Sequence, residues 1–129
     1  MKEPTWVLRD VAAAVQQMLL SEHGGLSGIR DEALLDSALF RPQNLFAYRE
    51  SVSIFDLAAS YSYGLALNHP FIDGNKRVAL TVSAIFLEIN GYSLNATEAE
   101  AVITFEHLAS GKLTEKQLSA WFHDFTQHS

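Results

Sequence analysis

Residues 57–87 read LAASYSYGLALNHPFIDGNKRVALTVSAIFL, and this nearly uncharged stretch decides the fold. Its three charged residues, Asp73, Lys76 and Arg77, fall within five positions and lie close to His69. Apolar residues occupy nearly every face of the segment that follows, and a helix that is apolar on all faces is typically buried. The pattern therefore predicts a buried central helix over about residues 74–90, with a polar cluster at its N-terminus.

The helix before this cluster is bounded by a cap and a proline. Ser53 followed by Asp56 three positions later is typical of an N-terminal capping box. The residue before Pro70 is disfavoured in the α region, so the helix is expected to end close to that position. We therefore predict a helix that begins after Ser53 and ends near Asn68.

Two further helices precede this pair. Apolar residues at helical spacing predict the first over about residues 7–22, and the glycine pair at 24–25 ends it. Its apolar positions are Val7, Val11, Ala14, Val15, Met18 and Leu19. The second begins at Asp31, whose side chain can cap it, and is expected to stop before Pro42.

Two helices are also predicted after the central one. Thr97 with Glu100, and Thr114 with Gln117, have the spacing of capping boxes. Gly111 lies between the two predicted helices and separates them.

The fold class is therefore all-α, a compact bundle of about six helices around the buried helix. Residues 43–52 form a connection between helices, and a short hairpin there or at 92–94 stays an open alternative. With neither a linker nor a repeat in the sequence, we expect one domain over residues 1–129.

Composition limits the classes of function. The formal net charge is −6, and an acidic chain is a poor partner for a phosphate backbone, so we expect no direct nucleic-acid binding. The absence of cysteine excludes a disulfide scaffold, a thiolate zinc site and a cysteine nucleophile. The charged start MKEPTWVLRD is unlike a signal peptide, and no apolar run approaches the ~18 residues of a membrane span. We expect a cytoplasmic protein.

The polar cluster contains the residue types of an anion site. A helix N-terminus presents unpaired N–H groups and the positive end of its dipole. Gly74 lets the backbone approach a ligand closely. Asn75, Lys76 and Arg77 add side-chain donors suited to phosphate.

Two other residues of the cluster suit metal and proton chemistry. Asp73 offers a carboxylate, the ligand that Mg²⁺ takes together with substrate phosphates. Histidine is the side-chain type that titrates near neutral pH, so His69 is a candidate general base. Pro70 and a buried Phe71 would hold its loop in place. The alternative is structural, with Asp73 capping the helix and pairing with a neighbouring cation.

Other polar and aromatic residues are expected to have structural roles. The histidines read as surface residues are His107, His123 and His128. The solvated face of the fifth helix is assigned to Glu98, Glu100 and Glu106. The aromatic residues read as packing positions are Tyr61, Tyr63, Trp121, Phe122 and Phe125. Residues 46–49 stay open between a passive loop and a flap that contacts a target.

Residues 69–77, HPFIDGNKR, preceded by Asn68, resemble the central motif of the Fic/Doc superfamily, most closely its death-on-curing (Doc) branch. Three further stretches agree with that branch, namely GGLSGIRD at 24–31, AASY at 58–61 and NGY at 90–92. The resemblance covers about residues 24–94. It implies a Fic/Doc-type helical fold.

The resemblance also implies a reaction. Members of the superfamily that transfer AMP typically have a second glycine where this chain has Lys76, and a second arginine where it has Leu80. Doc toxins share the lysine and lack that arginine. The resemblance therefore implies a kinase that moves the terminal phosphate of ATP, with Mg²⁺, onto a hydroxyl of a protein.

Roles follow from the resemblance position by position. His69 would be the base that accepts the proton of the hydroxyl, and Asp73 would hold Mg²⁺. Gly74 and Asn75 would supply anion-hole donors. The residues that would grip the phosphates of ATP are Lys76 and Arg77, and the cofactor-binding set also includes Gly74 and Asn75.

The partners implied by the resemblance are those of a type II toxin–antitoxin system. The known target of the branch is a threonine of elongation factor Tu, and its modification inhibits translation. A small antitoxin would fold its C-terminal tail as a helix into a groove of the toxin. Many Fic proteins carry an internal inhibitory motif in which Gly or Asn follows a glutamate, and no glutamate of this sequence has that neighbour. The alternatives are an AMP transferase and a catalytically silent antitoxin-binding module.

Overall fold

The computed structural model describes residues 1–128, which form six α-helices and one small sheet. The helices are α1 (Arg9–His23), α2 (Glu32–Tyr48), α3 (Ile54–Asn68), α4 (Asn75–Ile89), α5 (Glu98–Ala109) and α6 (Glu115–Asp124). The strands are β1 (Tyr92–Leu94) and β2 (Thr126–His128). The all-α fold class is confirmed. None of the helices in this part of the chain is long and apolar enough to cross a membrane.

The most deeply buried helix is α3, where ten of fifteen residues are buried, against seven of fifteen in α4. The reason is that α3 packs against α2, α4, α5 and α6, whereas part of α4 borders a cleft. The two helices are joined by a buried hydrogen bond of 2.5 Å between Ser62 Oγ and Ser83 Oγ. The sequence predicted that the helix at about residues 74–90 is the central one. In the structure the preceding helix, α3, is the more buried of the two.

Close contact between α2 and α3 depends on Gly64. A Cβ atom there would lie 3.1 Å from Ala38 Cα and 3.2 Å from Ala38 Cβ, which is tighter than ordinary packing. Because Gly64 lacks that atom, the two helices approach each other without a clash. This packing fixes α3, and through it the loop that follows α3.

Four of the six helices begin with a side-chain cap, as the sequence predicted. Asp31 Oδ1 accepts a hydrogen bond from the N–H of Leu34, and Thr97 Oγ1 accepts one from the N–H of Glu100. Ser53 and Thr114 each form a complete capping box. These caps satisfy N–H groups that a helix end otherwise leaves unpaired.

The predicted end of α2 is wrong, because the helix continues through Pro42 to Tyr48. A proline inside a helix removes one backbone hydrogen bond. Pro42 is buried next to Leu39, and Leu45 and Phe46 pack against the core at helical spacing beyond it. Burial of this apolar face offsets the lost bond.

The same helix settles the alternatives for residues 43–52. No hairpin forms in this range, whose first six residues are helical. Phe46 is neither in a loop nor in a flap, because its ring packs edge-to-face on Trp6, with 5.8 Å between centroids. Tyr48 is the exception, an exposed residue at the end of α2.

The buried face of α1 also differs from the prediction. Ala14 and Met18 are exposed, and the buried positions are Ala12, Val15 and Gln16. Gln16 turns inward because its amide accepts from the N–H of Gly28 and donates to the carbonyl of Asp73, which makes a polar residue acceptable inside. Hydrophobic spacing alone does not reveal such a residue.

The sheet joins distant parts of the chain. Tyr92–Leu94 pairs antiparallel with Thr126–His128, in a register that places Tyr92 opposite His128. A strand at 92–94 is therefore present, but its partner is the C-terminal segment and not a local hairpin. Phe122 is buried, whereas Trp121 and Phe125 are half-buried and lie against each other, with 5.3 Å between their centroids.

Candidate active site

The predicted polar cluster lines one side of a cleft of about 450 Å³. The cleft lies between the N-terminal end of α4 and the exposed side of α5. From the predicted cluster it is lined by His69, Asp73, Gly74, Asn75, Lys76 and Arg77. The sequence therefore identified one wall of the cleft, and the structure brings all six of these residues together.

His69 ends α3 and stands in the left-handed region, with φ 48°. It is the one residue other than glycine with positive φ among those described. A non-glycine residue in this region is strained, and such strain is characteristic of functional sites. His69 is exposed and lines the cleft.

The N-terminus of α4 has no side-chain cap. Gly74 occupies the N-cap position with φ 80°, a left-handed conformation that glycine adopts without strain. The residues of this first turn, Gly74 to Arg77, all line the cleft. An uncapped helix N-terminus next to two cations favours anion binding.

Asp73 neither caps α4 nor pairs with Lys76 or Arg77 in the described chain. The structural role considered for it, as a helix cap paired with a cation, is therefore wrong. Its Oδ2 accepts a hydrogen bond of 2.8 Å from the N–H of Leu26. Its Oδ1 has no hydrogen-bond partner in the described chain, so this oxygen is available to coordinate a metal ion. Within residues 1–128 no three His, Asp or Glu side chains cluster as a metal site. A cation here would share Asp73 with the oxygens of its substrate, as Mg²⁺ commonly does.

The side chain of Asn75 is engaged with the loop before it. Asn75 Oδ1 accepts from the N–H of Phe71, and Asn75 Nδ2 donates to the carbonyl of Phe71, both at 3.0 Å. The amide is buried, and it holds the loop in a tight turn against α4. Asn75 Nδ2 has a second N–H that this bond does not use, so the side-chain phosphate donor at this position stays a prediction. The backbone N–H of Asn75 stays at the open end of α4.

Glu106 is the site residue that the sequence interpretation misplaced. Its Oε1 lies 2.7 Å from Nζ of Lys76, so it is part of the cleft and not only of a solvated face. The apolar part of the same wall consists of Leu80, Ala101, Val102 and Phe105. No sequence signal identifies this wall, because Glu106 lies thirty residues after Lys76 and reaches it only through folding.

A brace formed by residues 24–31 holds the other side of the site. Ile29 and Phe71 form an antiparallel bridge, and the N–H of Ile72 donates to the carbonyl of Gly28 at 3.0 Å. Buried Gln16 donates to the carbonyl of Asp73 at 3.1 Å and accepts from the N–H of Gly28. The loop that carries Asp73 is therefore fixed from both α1 and the brace.

Other residues weighed from the sequence lie away from the cleft. Tyr61 is buried and accepts from the N–H of Val7 at 3.0 Å. Burial raises the pKa of Tyr61 to about 12, although that hydrogen bond lowers it slightly, so the hydroxyl stays protonated. His123 and His128 pack edge-to-face on Phe55 and Tyr92, which fits structural roles.

A second polar pocket, of about 510 Å³, lies between α2, α3 and α6. Arg41 crosses it and forms two hydrogen bonds of 2.6 Å with Glu115, while its guanidinium stacks 4.7 Å above the ring of Tyr63. The hydrogen bond to Glu115 raises the pKa of Arg41 and outweighs burial, which lowers it. The charges that line this pocket are therefore paired with each other, and Tyr63 lies against Arg41 and not in the candidate site.

Comparison with known proteins identifies the motif. The family model described as Fic/DOC family matches residues 6–87. The chain is 36% identical over 78 residues to the protein kinase doc of Escherichia phage P1, and 42% identical over 74 residues to the toxin Doc of Mycolicibacterium smegmatis. These alignments cover 60% and 57% of this chain, and 62% and 57% of the two relatives. The chain thus matches about three-fifths of the length of each.

Proposed function

The chain belongs to the Fic/DOC family, and on this premise we propose that it is a Doc-type toxin acting as a protein kinase. It would transfer the γ-phosphate of ATP to a serine or threonine hydroxyl of a translation factor, with elongation factor Tu as the substrate to test first. It would act in the bacterial cytoplasm, as the toxin of a type II toxin–antitoxin system, and inhibit translation.

One observation carries the proposal: a base and an uncapped helix N-terminus share one cleft. His69 lies at its edge, and the open first turn of α4 with Lys76 and Arg77 forms its floor. Phosphoryl transfer depends on positioning and on donors placed where negative charge develops. One Doc relative is named a protein kinase, which agrees with this chemistry, and the other is named a toxin.

Each residue then has a defined part in the transfer. The imidazole of His69 accepts the proton of the attacking hydroxyl, while the oxygen forms a bond to the γ-phosphorus and the bond from that phosphorus to the bridging oxygen of ADP breaks. The N–H groups at the start of α4, with Lys76 and Arg77, hold the phosphate oxygens. Asp73 would hold Mg²⁺, which neutralises charge on the phosphates when bound.

The absence of an arginine at position 80 favours this reaction over AMP transfer. Leu80 lines the cleft as a half-buried apolar residue and offers no donor to a further phosphate. Lys76 adds bulk and charge where the AMP-transferring enzymes have glycine. Both features support a nucleotide bound with its terminal phosphate at the base.

The test is to incubate the purified protein and elongation factor Tu with ATP labelled at either the α- or the γ-phosphate. We expect γ-label on the factor, only in the presence of Mg²⁺. Incorporation of α-label would assign the protein to the AMP transferases. No incorporation of either label, together with binding of a neighbouring antitoxin, would support the silent binding module.

An antitoxin is the second part of the proposal. Ile72 on the rim of the cleft and Val102 and Ile103 on α5 are large apolar residues that are about half-exposed. An amphipathic helix would cover such a surface. We expect the product of an adjacent gene to bind through its C-terminal peptide, raise the melting temperature and block transfer. A neighbouring protein that neither binds nor inhibits would contradict this part.

A further inference from the structure

We propose that Arg30 is a positioning residue for His69, and that it acts by holding the main-chain carbonyls on either side of that histidine. The inference rests on the proposed function, because it gives His69 the role of base. It adds a residue that lies outside the motif at 69–77 and that neither the motif nor the cleft identifies.

The contact is a fork of hydrogen bonds to consecutive carbonyl groups. The guanidinium of Arg30 donates from Nε to the carbonyl of His69 at 2.7 Å, and from Nη2 to the carbonyl of Asn68 at 2.9 Å. The backbone N–H of Arg30 donates to the carbonyl of Pro70 at 2.7 Å. One residue thus fixes three successive peptide groups, with His69 in the middle.

His69 needs such support more than most catalytic histidines do. A catalytic base is usually oriented by a third group that bonds its ring. In the chain as described, no side chain or backbone group is hydrogen-bonded to the imidazole of His69. The orientation of the ring therefore depends on the backbone, which stands at φ 48° in a region that costs about 1 kcal/mol or more for a residue with a Cβ atom.

The guanidinium of Arg30 supplies hydrogen-bond donors to the carbonyl groups of Asn68 and His69. The last carbonyls of a helix have no partner within the helix, and a cation at this end also complements the dipole. Arg30 bonds the two carbonyls at the end of α3 with one planar group, a geometry that a single ammonium does not reproduce. Its removal would free the peptide on each side of His69 to rotate.

The fold does not depend on the same side chain. Arg30 is exposed, so its truncation opens no cavity. The bridge between Ile29 and Phe71 and the bonds of buried Gln16 hold the brace by backbone and buried contacts that truncation leaves in place. An Arg30→Met variant is therefore expected to fold and to lose orientation at His69.

The experiment compares Arg30→Met and Arg30→Lys with Arg49→Met in two measurements. Arg49 is a matched exposed arginine at the end of α2, whose ion pair with Asp56 spans 3.8 Å. The first measurement is the ¹H–¹³C spectrum of the histidine rings in the free protein, which requires no activity. The second is the kcat and KM for ATP in transfer to elongation factor Tu.

We expect Arg30→Met to shift or broaden the ring signals of His69 alone among the five histidines. Its kcat should fall about 10- to 100-fold, with KM for ATP within about twofold, because misplaced groups lose rate and not ground-state binding. Arg30→Lys should restore part of the rate, and Arg49→Met should resemble the wild type.

Two results would overturn the inference. One is an unchanged His69 spectrum in Arg30→Met, and the other is an unchanged kcat in an active wild-type background. An inactive wild-type protein would instead count against the proposed kinase function, and the ring spectra would still decide the role of Arg30. A fall in melting temperature shared by Arg30→Met and Arg30→Lys, without any ring-signal change, would assign Arg30 to stability alone.

Discussion

The N-terminus of α3 and the N-terminus of α4 both have backbone N–H groups without a partner inside the helix. Side chains bind these groups at α3 but not at α4. At α3 the hydroxyl of Ser53 accepts from the N–H of Asp56 at 3.1 Å, and the carboxylate of Asp56 accepts from the N–H of Ser53 at 2.9 Å. At α4 the cap is Gly74, which has no side chain to offer. One helix end is closed by its own residues, and the other is left open.

The difference is between a cap that adds stability and an open end that is a candidate binding site. A closed helix end gains about 1 kcal/mol from its cap and has fewer donors left for a ligand. An open end forgoes that gain and keeps its donors available for an anion. Helix α4 is nevertheless well anchored, because buried residues such as Val82 and Phe86 hold it against the core. Packing therefore allows the open end to stay uncapped.

The largest expected effect is at the open end, where removal of the base should abolish transfer. We expect His69→Ala and His69→Asn to reduce kcat by about 10²–10⁴-fold, the usual contribution of a positioned general base. Asparagine tolerates the left-handed region, so His69→Asn controls for backbone strain. The measurement is γ-phosphate transfer at saturating ATP. Wild-type rates in His69→Asn would remove the base from the mechanism.

At the closed end, removal of the cap should change stability and leave the chemistry intact. Ser53→Ala should lower the free energy of unfolding by about 1 kcal/mol, because the N–H of Asp56 loses its acceptor. For a chain of this length the melting temperature should fall by about 3–5 °C. Ser53→Thr keeps the hydroxyl and serves as the control. A loss of transfer rate below the melting transition would contradict the separation of the two ends.

A smaller effect is expected where α5 meets the open end. Glu106 pairs with Lys76 at 2.7 Å and competes with an incoming phosphate for that ammonium. We expect Glu106→Gln to lower KM for ATP by about 2- to 5-fold, the range of an exposed ion pair. Glu98→Gln removes the same charge from the first turn of α5 and is the control. An equal change in both variants would show a general charge effect and not competition at Lys76.

The smallest effect concerns acid sensitivity at the closed end. Burial alone would raise the pKa of Asp56, but hydrogen bonds from Ser119 and Ser53, together with the charge of Arg49, outweigh it and lower the pKa. A lowered carboxyl pKa adds stability above the unfolded value, and this stability is lost as the pH falls through the folded value. Asp56→Asn should therefore cost about 0.3–1 kcal/mol at neutral pH.

The pH dependence gives the check on that prediction. The difference in unfolding free energy between wild type and Asp56→Asn should stay constant above about pH 5 and narrow below about pH 4, where the carboxyl of the unfolded chain becomes protonated. Denaturant unfolding at a series of pH values measures it. A difference that widens on acidification would reverse the assigned direction of the pKa shift.

Local features of the helix ends were predictable from the sequence, whereas packing between distant elements was not. Ser53 and Thr114 could be identified as caps, because a capping box closes within four residues. Pro42 was misread as the end of α2, since the burial that keeps it helical comes from other elements. Glu106 gave no signal at all, because its ion pair with Lys76 bridges thirty residues.

The candidate site likewise has features that are local in sequence and features that depend on distant elements. The motif at 69–77 is continuous in sequence, so His69, Asp73 and the N-terminus of α4 could be selected as candidates before any fold was known. Asn75 shows what that assignment leaves out, because its amide also holds Phe71. Arg30 shows the reverse case. Its hydrogen bond to the carbonyl of His69 forms only when residues 28–31 lie beside the loop that follows α3.

The sequence by itself determined the helical class, most of the helix ends and the residue types that meet at the polar cluster, because periodicity, caps and a contiguous motif act over a few residues. Only the tertiary structure decided which helix is most central, which side chains are already engaged, and what forms the far wall of the cleft. Those features depend on contacts between residues far apart in the chain. Such contacts form only when burial of the core brings α1, α5 and the 24–31 brace around the start of α4.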